Sequence, residues 1–269
     1  MERIVAIAQQ KGGCGKTTLA THLAWAFAAS GRRVLLIDLD PQGHARSWLA
    51  GSPSRGEPAP VALAEVLEHS PLAGGGTTIE RAVVSIADGL EVVGGELSLA
   101  RLEHHLVARP GGIECLAEHL ADAARRWEVV IIDTPPALGL LTSSAVIAAG
   151  EVLVPLSPDP YAFQGAHRLM TTVEHLERET GHRSRRYLVP TLLRRGERLT
   201  GEWLARARAQ WGCRLLPLGL RRSVLFDRAA ARGRVLAQTA PQAPAGRDVQ
   251  ALADHLLERW DRPGEACPR

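Results

Sequence analysis

The stretch QQKGGCGKTTLA, residues 9–20, decides the reading of this chain, because it sets two lysines around a run of glycines. It follows ERIVAIA (2–8), a short branched apolar run that reads as a buried strand, and it opens a helical pattern over 17–30 that Gly31 stops. Strand, glycine-rich turn and helix in that order are the context of a phosphate loop. Gly12, Gly13 and Gly15 let backbone N–H groups converge on phosphate oxygens with no Cβ in the way, and the helix N-terminus adds partial positive charge. Lys16 is placed to reach the β- and γ-phosphates and the Thr17 hydroxyl to bind Mg²⁺, with Cys14 and Thr18 completing a loop suited to ATP. Lys11 is surplus to that scheme. Yet Lys11 and Lys16 are the only two lysines among 32 basic residues, the rest being arginine. A compact ammonium enters a crowded phosphate nest where a broad guanidinium fork does not, so an arginine-rich chain has reason to keep lysine here.

Two acidic strand ends accompany the loop. VVIIDTPP closes four apolar residues with Asp133, a carboxylate that is costly to bury unless it meets a cation or a strong donor. LLIDLDPQG repeats the pattern at Asp38 and Asp40, whose i, i+2 spacing puts both on one face. One of the pair can stay near a metal shell while the other orients an attacking water. The alternative for Asp40, just before Pro41, is a turn or capping role.

Continuous apolar strands alternate with helical patterns along the rest of the chain. Strands are expected at 33–40, 89–95, 128–136, 151–157, 185–193 and 213–220, and helices over 112–126, 140–149, 161–179, 200–211 and 246–260. That alternation predicts an α/β fold, a single mostly parallel twisted sheet with helices on both faces. Residues 1–262 read as one domain and 263–269 as a short flexible tail. The Pro/Gly/Ser-rich stretches 51–60 and 73–78 read as surface excursions. Ligands of such sheets bind beyond the C-terminal strand ends, where the loop and the acids fall.

Bulk properties narrow the setting. No apolar run reaches the roughly 18 residues of a membrane span, and the N-terminus has neither a basic leader nor a cleavage site. Four scattered cysteines support neither a disulfide framework nor a zinc site, so a reduced, cytoplasmic setting is expected. The net charge of +3 hides an asymmetry. From Arg183 to Arg234 there are 14 arginines against three acids, a local +11 that leaves −8 for the remainder. Such a block suits a polyanion-facing surface, the alternative being a solvated arginine-rich face.

KGGCGKTT, DLDPQGHA and the run from VVIIDTPP to FQGAHRL together resemble the ParA/MinD group of deviant Walker A ATPases, in its ParA/Soj branch, in order from residue 3 to about 260. The resemblance implies a P-loop ATPase using ATP and Mg²⁺ that acts as a slow molecular switch. It implies that Lys11 reaches across a nucleotide-sandwich homodimer to the partner's phosphates, that Lys16 is the ordinary loop lysine, and that Thr17, Asp38 and Asp133 lie near the metal. Asp40 becomes the acid that positions water. The dimer would bind double-stranded DNA without sequence preference and localise to the nucleoid. A ParB-like or other cargo adaptor would stimulate hydrolysis, driving chromosome or plasmid partition. In LRRSVLFDRAAARGRVL (220–236), Arg222 falls on the family's DNA-contacting arginine and Ser223 on its adenine-contacting asparagine. Arg221 replaces a proline beside the base, and Asp227-Arg228 stands where Ser-Glu is usual. Arg198, with Arg194 and Arg195, is a second DNA candidate, and few aromatics are present to stack on single strands.

Other readings of the fold make separate demands. A positioning ATPase for a protein cargo, such as a carboxysome or chemotaxis cluster, would share every motif. A MinD-like membrane ATPase needs a C-terminal amphipathic helix, whereas the tail DRPGEACPR carries prolines and none. An iron–sulfur relative needs clustered thiolates, and a biosynthetic ligase has no need of the basic block. No helix-turn-helix segment precedes the loop, so autorepression is not expected.

Overall fold

A computed structural model describes residues 3–50, 61–71, 77–123, 126–194 and 196–261. Seven strands form one sheet in the order β3-β4-β2-β5-β1-β6-β7. They are β1 (Arg3–Ile7), β2 (Val34–Asp38), β3 (Val84–Ala87), β4 (Leu90–Gly94), β5 (Val129–Asp133), β6 (Glu151–Leu156) and β7 (Arg185–Pro190). All pairings are parallel except that of the edge strand β3, which runs antiparallel to β4 with a register shift between Ser85 and Ala87. The mostly parallel α/β sheet expected from the continuous apolar runs is what forms.

Period-two alternation explains why those runs carry no polar residue. In β1, Val5 and Ile7 enter one core while Ala6 enters the other; Leu36 and Ile131 join the first, and Leu35, Ile37, Val130 and Ile132 the second. The first core is closed by α1 (Lys16–Ala29), α2 (His44–Ala50), α9 (Val224–Ala230), α10 (Leu236–Thr239) and α11 (Pro244–Asp261). The second lies under α3 (Leu63–Glu68), α4 (Ser98–Ala108), α5 (Cys115–Ala123), α6 (Leu140–Ala148), α7 (Pro160–Thr180) and α8 (Arg198–Trp211). Among the described residues no helix is long and apolar enough to cross a membrane.

Three expectations change. The segment 213–220 is not a strand. It opens with a 3₁₀ turn, Gly212–Arg214, and meets β7 and its continuation through isolated bridges at Leu215 and Arg221 and scattered backbone bonds such as Leu220 N–H to the Pro190 carbonyl at 2.8 Å, not through a continuous ladder. Pro217 lacks a ladder donor, and Gly219 presses so close that a Cβ there would sit 2.3 Å from the Pro190 carbonyl oxygen. Secondly, β3, α2, α3, α4, α9 and α10 occupy stretches where no element was anticipated. Thirdly, Cys14 and Cys115 are free and buried, but Cys213 is disulfide-bonded, a link that the scattered spacing gives no sign of. The excursions at 51–60 and most of 73–78, the tail 263–269 and Arg195 lie outside the described residues.

Sheet register sets the candidate site. Asp38 and Ile7 both stand opposite Asp133, so the ends of β2, β5 and β1 finish side by side at the same level. The loop 8–15 leaves β1 directly above them.

Candidate functional site

The phosphate loop is open on its concave side. A Cβ at Gly12 or Gly13 would meet nothing within 4 Å, and Gly13 and Gly15 hold positive φ angles of 69° and 92° that favour glycine. Gly15 stands at the N-cap of α1 and no side chain caps that end. The first-turn N–H groups are therefore left for an anion. Lys16 is 7% exposed at the base of the cradle. Cys14 faces inward, its thiol pushed up by burial, and acts as a small apolar filler. Its carbonyl oxygen accepts from Thr191 Oγ1 at 2.8 Å, which ties the loop to the end of β7.

The acids divide into two kinds. Asp38 is fully buried, and both oxygens accept backbone bonds: Oδ1 from the Asp40 amide at 3.1 Å and Oδ2 from the Arg46 amide at 2.9 Å. Gly95 packs so closely that a Cβ there would lie 2.8 Å from Asp38 Oδ2. Burial raises this carboxyl to about 6. Asp133 is also fully buried, but neither of its oxygens has a hydrogen-bond partner. Burial first, then the charge of Asp38, pushes it up to about 8, while the facing Thr17 hydroxyl and Lys16 pull it back without closing a bond. A buried, orphaned carboxylate beside a threonine hydroxyl and a lysine fits a hydrated divalent cation. Thr17 and Asp133 would hold that shell, which would neutralise phosphate charge. Asp38 is drawn mainly into bracing the 38–46 turn. Asp40 takes the turn role, its Oδ1 accepting from the Gln42 amide at 2.9 Å, and it stands half-buried at the rim of the acidic strand ends.

Lys11 does not lie in its own cradle. Its ammonium is ion-paired with Oδ2 of Asp159, with the lysine side chain 31% exposed. Asp159 caps α7, accepting from the Ala162 amide at 3.0 Å, and takes a second bond from Ser157 Oγ at 2.6 Å. These donors hold its carboxyl below the usual range, against the effect of burial.

Beside the loop runs a cleft of about 390 Å³ lined in part by Gly15, Thr18, Leu192, Arg221, Ser223 and Phe226. Leu192 is the one non-glycine residue with positive φ among those described, at 54°. Arg221 borders the cleft, but its guanidinium grips Asp248 of α11 in a fork, Nε to Oδ2 at 2.7 Å and Nη2 to Oδ1 at 2.9 Å. Ser223 caps α9 by accepting from the Leu225 amide at 3.2 Å, which leaves its hydroxyl hydrogen to donate.

The basic block does not form one uniform patch. Arg186 is buried against Glu174 and Glu177, and Arg221 is held by Asp248. Arg194 pairs with Glu197 and Arg198 with Glu202, both on the surface. Arg222 is exposed, with its backbone pinned to the Leu193 carbonyl at 2.9 Å and no ion-pair partner among the described residues. The structure thus brings Lys16, Thr17, Asp38, Asp40 and Asp133 together and puts Ser223 across the cleft with Arg222 on the same lining, while Arg194 and Arg198 stand outside it. Sequence reasoning missed Asp159, Thr191 and Gln9. Only Asp159 carried a local signal, an acid before proline at a helix start.

Comparison with known proteins agrees with this geometry. The family described as AAA domain matches residues 2–185. The chain is 33% identical over 258 residues, 96% of each protein, to the chromosome-partitioning ATPase Soj of Thermus thermophilus. It is 33% identical over 251 residues, 93% of this chain and 76% of the other, to the cell division protein PomZ of Myxococcus xanthus. Cobyrinic acid a,c-diamide synthase of Mycobacterium smegmatis with bound ADP and magnesium superposes with a TM-score of 0.80 at 28% identity, covering 100% of this chain and 99% of that one. Apo McdA of Cyanothece shares the fold, with a TM-score of 0.82 at 22% identity over 96% of this chain and all of that one. A glycine cradle over paired acidic strand ends, a lysine upstream of it, and end-to-end likeness to a Soj protein place the chain in the ParA/MinD family of P-loop ATPases, on its ParA/Soj branch.

Proposed function

We propose that this chain is an ATP-dependent dimerisation switch that binds DNA in its dimeric state and releases it on hydrolysis. One observation carries the reading: Lys11 is held outside its own phosphate cradle, on Asp159, in a half-exposed pair that a better anion could displace. A second copy bringing its own γ-phosphate is such an anion. A cation arriving in trans would stabilise the charge that spreads over the transferring phosphoryl group and fasten the two subunits together. Four exposed apolar residues support a second copy on this face. Leu97, Tyr161 and Leu199 lie in segments that follow the C-terminal ends of β4, β6 and β7, and Val224 lines the cleft beside the loop.

In this reading ATP and Mg²⁺ are held by residues 12–18 and Asp133, with Asp38 behind them and Asp40 orienting water. The base rests in the cleft near Ser223. Arg222 leads the contacts to duplex DNA, with Arg194 and Arg198 beside it and Arg195 adding charge. Such contacts neutralise phosphates and weaken steeply with salt. Turnover is slow until a ParB-like or other adaptor on the cargo accelerates it. The switch would work in the cytoplasm, on the nucleoid. The cargo is DNA in a partition role, for which the Soj likeness over nearly the full length of both proteins speaks. A protein cargo is the second reading, favoured by the similarity to a cell division protein.

Light scattering coupled to size exclusion tests the core of this reading. The wild-type chain should run as a dimer with Mg·ATP and a monomer with ADP, and the dimer alone should sediment with duplex DNA. Lys11→Ala should bind ATP yet stay monomeric; a full dimer from that variant would overturn the trans role.

A further inference from the structure

Two residues before Lys11 the chain buries a polar residue, Gln9, which is 1% exposed. Its amide is fully used. Nε2 donates to the Pro155 carbonyl of β6 at 3.1 Å and to the Ala162 carbonyl in the first turn of α7 at 3.3 Å. Oε1 accepts from the Gln10 amide at 2.9 Å. The side chain therefore bolts the backbone of residues 9–10 to the helix whose cap, Asp159, holds the Lys11 ammonium.

The facing residue on α7 is Gly165, buried inside the helix, where glycine is a poor former and its presence needs a reason. The reason is contact. A Cβ at position 165 would lie 2.6 Å from Gln9 Oε1 and 3.8 Å from the Lys11 backbone nitrogen. One helix thus holds the approach to Lys11 at two points. The Gln9 contact is buried and fully bonded; the Lys11–Asp159 pair is half-exposed and exchangeable.

We propose that Gln9, seated against Gly165, is a positioning residue for the switch: it is the fixed pivot that sets where the Lys11 ammonium can reach once it leaves Asp159. The inference rests on the reading of Lys11 as the residue acting in trans. The cradle beyond Gly12 is fastened separately, through Thr191 and Cys14 and through α1. Displacing the pivot should therefore move Lys11 without disturbing the binding of nucleotide in cis.

The test is a compensating pair on the full chain. Gly165→Ala drives a methyl group into Gln9 Oε1. Gln9→Asn shortens the amide by one methylene and vacates that space. Gly165→Ala alone should leave the affinity for a fluorescent ATP analogue within about twofold and weaken ATP-dependent dimerisation about tenfold, the scale of one lost charge-assisted contact. Adding Gln9→Asn should return most of that loss. The inference is overturned if Gly165→Ala dimerises like the parent, if ATP affinity falls in parallel with dimerisation, or if the double variant recovers nothing. Should Gly165→Ala fail to fold, Gln9→Asn alone decides, since it forfeits a carbonyl bond under the loop; unchanged dimerisation there rejects the pivot. Lys11→Ala run alongside separates the two ideas. If it still dimerises, the trans role fails; if it is monomeric while Gly165→Ala is dimeric, only the pivot fails.

Discussion

Lys11 and Asp159, 148 residues apart in the chain, form an ion pair at the mouth of the phosphate cradle. The carboxylate also caps α7, so the lysine is held by a group that is itself anchored. On the proposed reading, a lysine committed to its own subunit is unavailable to another, and the pair would restrain dimerisation. Asp159→Asn keeps the cap, because asparagine caps helices as well as aspartate, and removes the charge. The apparent dimer dissociation constant at saturating ATP should fall about three- to tenfold, the restraint having lowered the competent fraction by that factor. Sedimentation velocity checks this. A weaker dimer would mean that Asp159 contributes to the assembled state instead.

Asp133 is the acid whose oxygens have no partner, whereas those of Asp38 are bonded to backbone amides. Asp133→Asn should therefore abolish Mg²⁺-dependent hydrolysis, by about a hundredfold or more given what a metal contributes to charge stabilisation, while leaving metal-free nucleotide binding nearly intact. Asp38→Asn should act differently. It weakens the bracing of the 38–46 turn, so the melting temperature should drop before nucleotide affinity does. Calorimetry on the two variants separates the roles, and identical profiles would show that the two acids share one role.

Much of this arrangement was legible because its causes are local. Glycines at 12, 13 and 15 announce an open cradle, and apolar runs such as VVIID announce strands covered on both faces. The helix α4 also left a trace, since Leu99, Leu102 and Leu106 keep a helical spacing and all three are buried. What was hidden depends on distant parts of the chain. Nothing near Lys11 points to Asp159, and nothing near Arg221 points to Asp248, so a guanidinium that reads as a cleft group is largely a fastening for α11. The run 213–220 misled for the opposite reason: its composition is that of a strand, but Pro217 and the tight approach of Gly219 keep it off the ladder.

His22 offers a test by pH. It is buried on α1 with Nδ1 at 2.8 Å from the Thr18 carbonyl, while Nε2 accepts from the Leu236 amide at 3.2 Å, and Trp48 and Phe226 meet its ring edge-on. Accepting at Nε2 requires the neutral ring, and burial lowers its pKa from 6.5 to about 4. The folded state thus holds its proton less tightly than the unfolded chain. The stability this provides is complete above pH 6.5 and is lost as pH falls toward 4, by up to about 3 kcal/mol. His22→Gln keeps a donor and an acceptor without titrating. Its urea midpoint should lie below that of the wild type at pH 7.5, and the gap should close as the pH approaches 4.5. A constant gap across that range would mean that His22 does not titrate with folding.

Arg222 and Arg198 should contribute unequally to duplex binding. Arg198 is 92% exposed and bonded to Glu202 at 2.7 Å, so a phosphate must displace a carboxylate to use it. Surface pairs of that kind are worth at most about 1 kcal/mol, but they still compete. Arg222 has no such rival among the described residues, and its backbone is fixed by the Leu193 carbonyl. In fluorescence anisotropy with a random-sequence duplex and Mg·ATP, Arg222→Ala should lower the slope of log affinity against log salt by about one. Arg198→Ala should lower it less, and Glu202→Gln should strengthen binding by freeing Arg198. Equal effects of the two alanine variants would mean that the Glu202 pair opens at no cost, and an unchanged slope for Arg222→Ala would remove that residue from the DNA face.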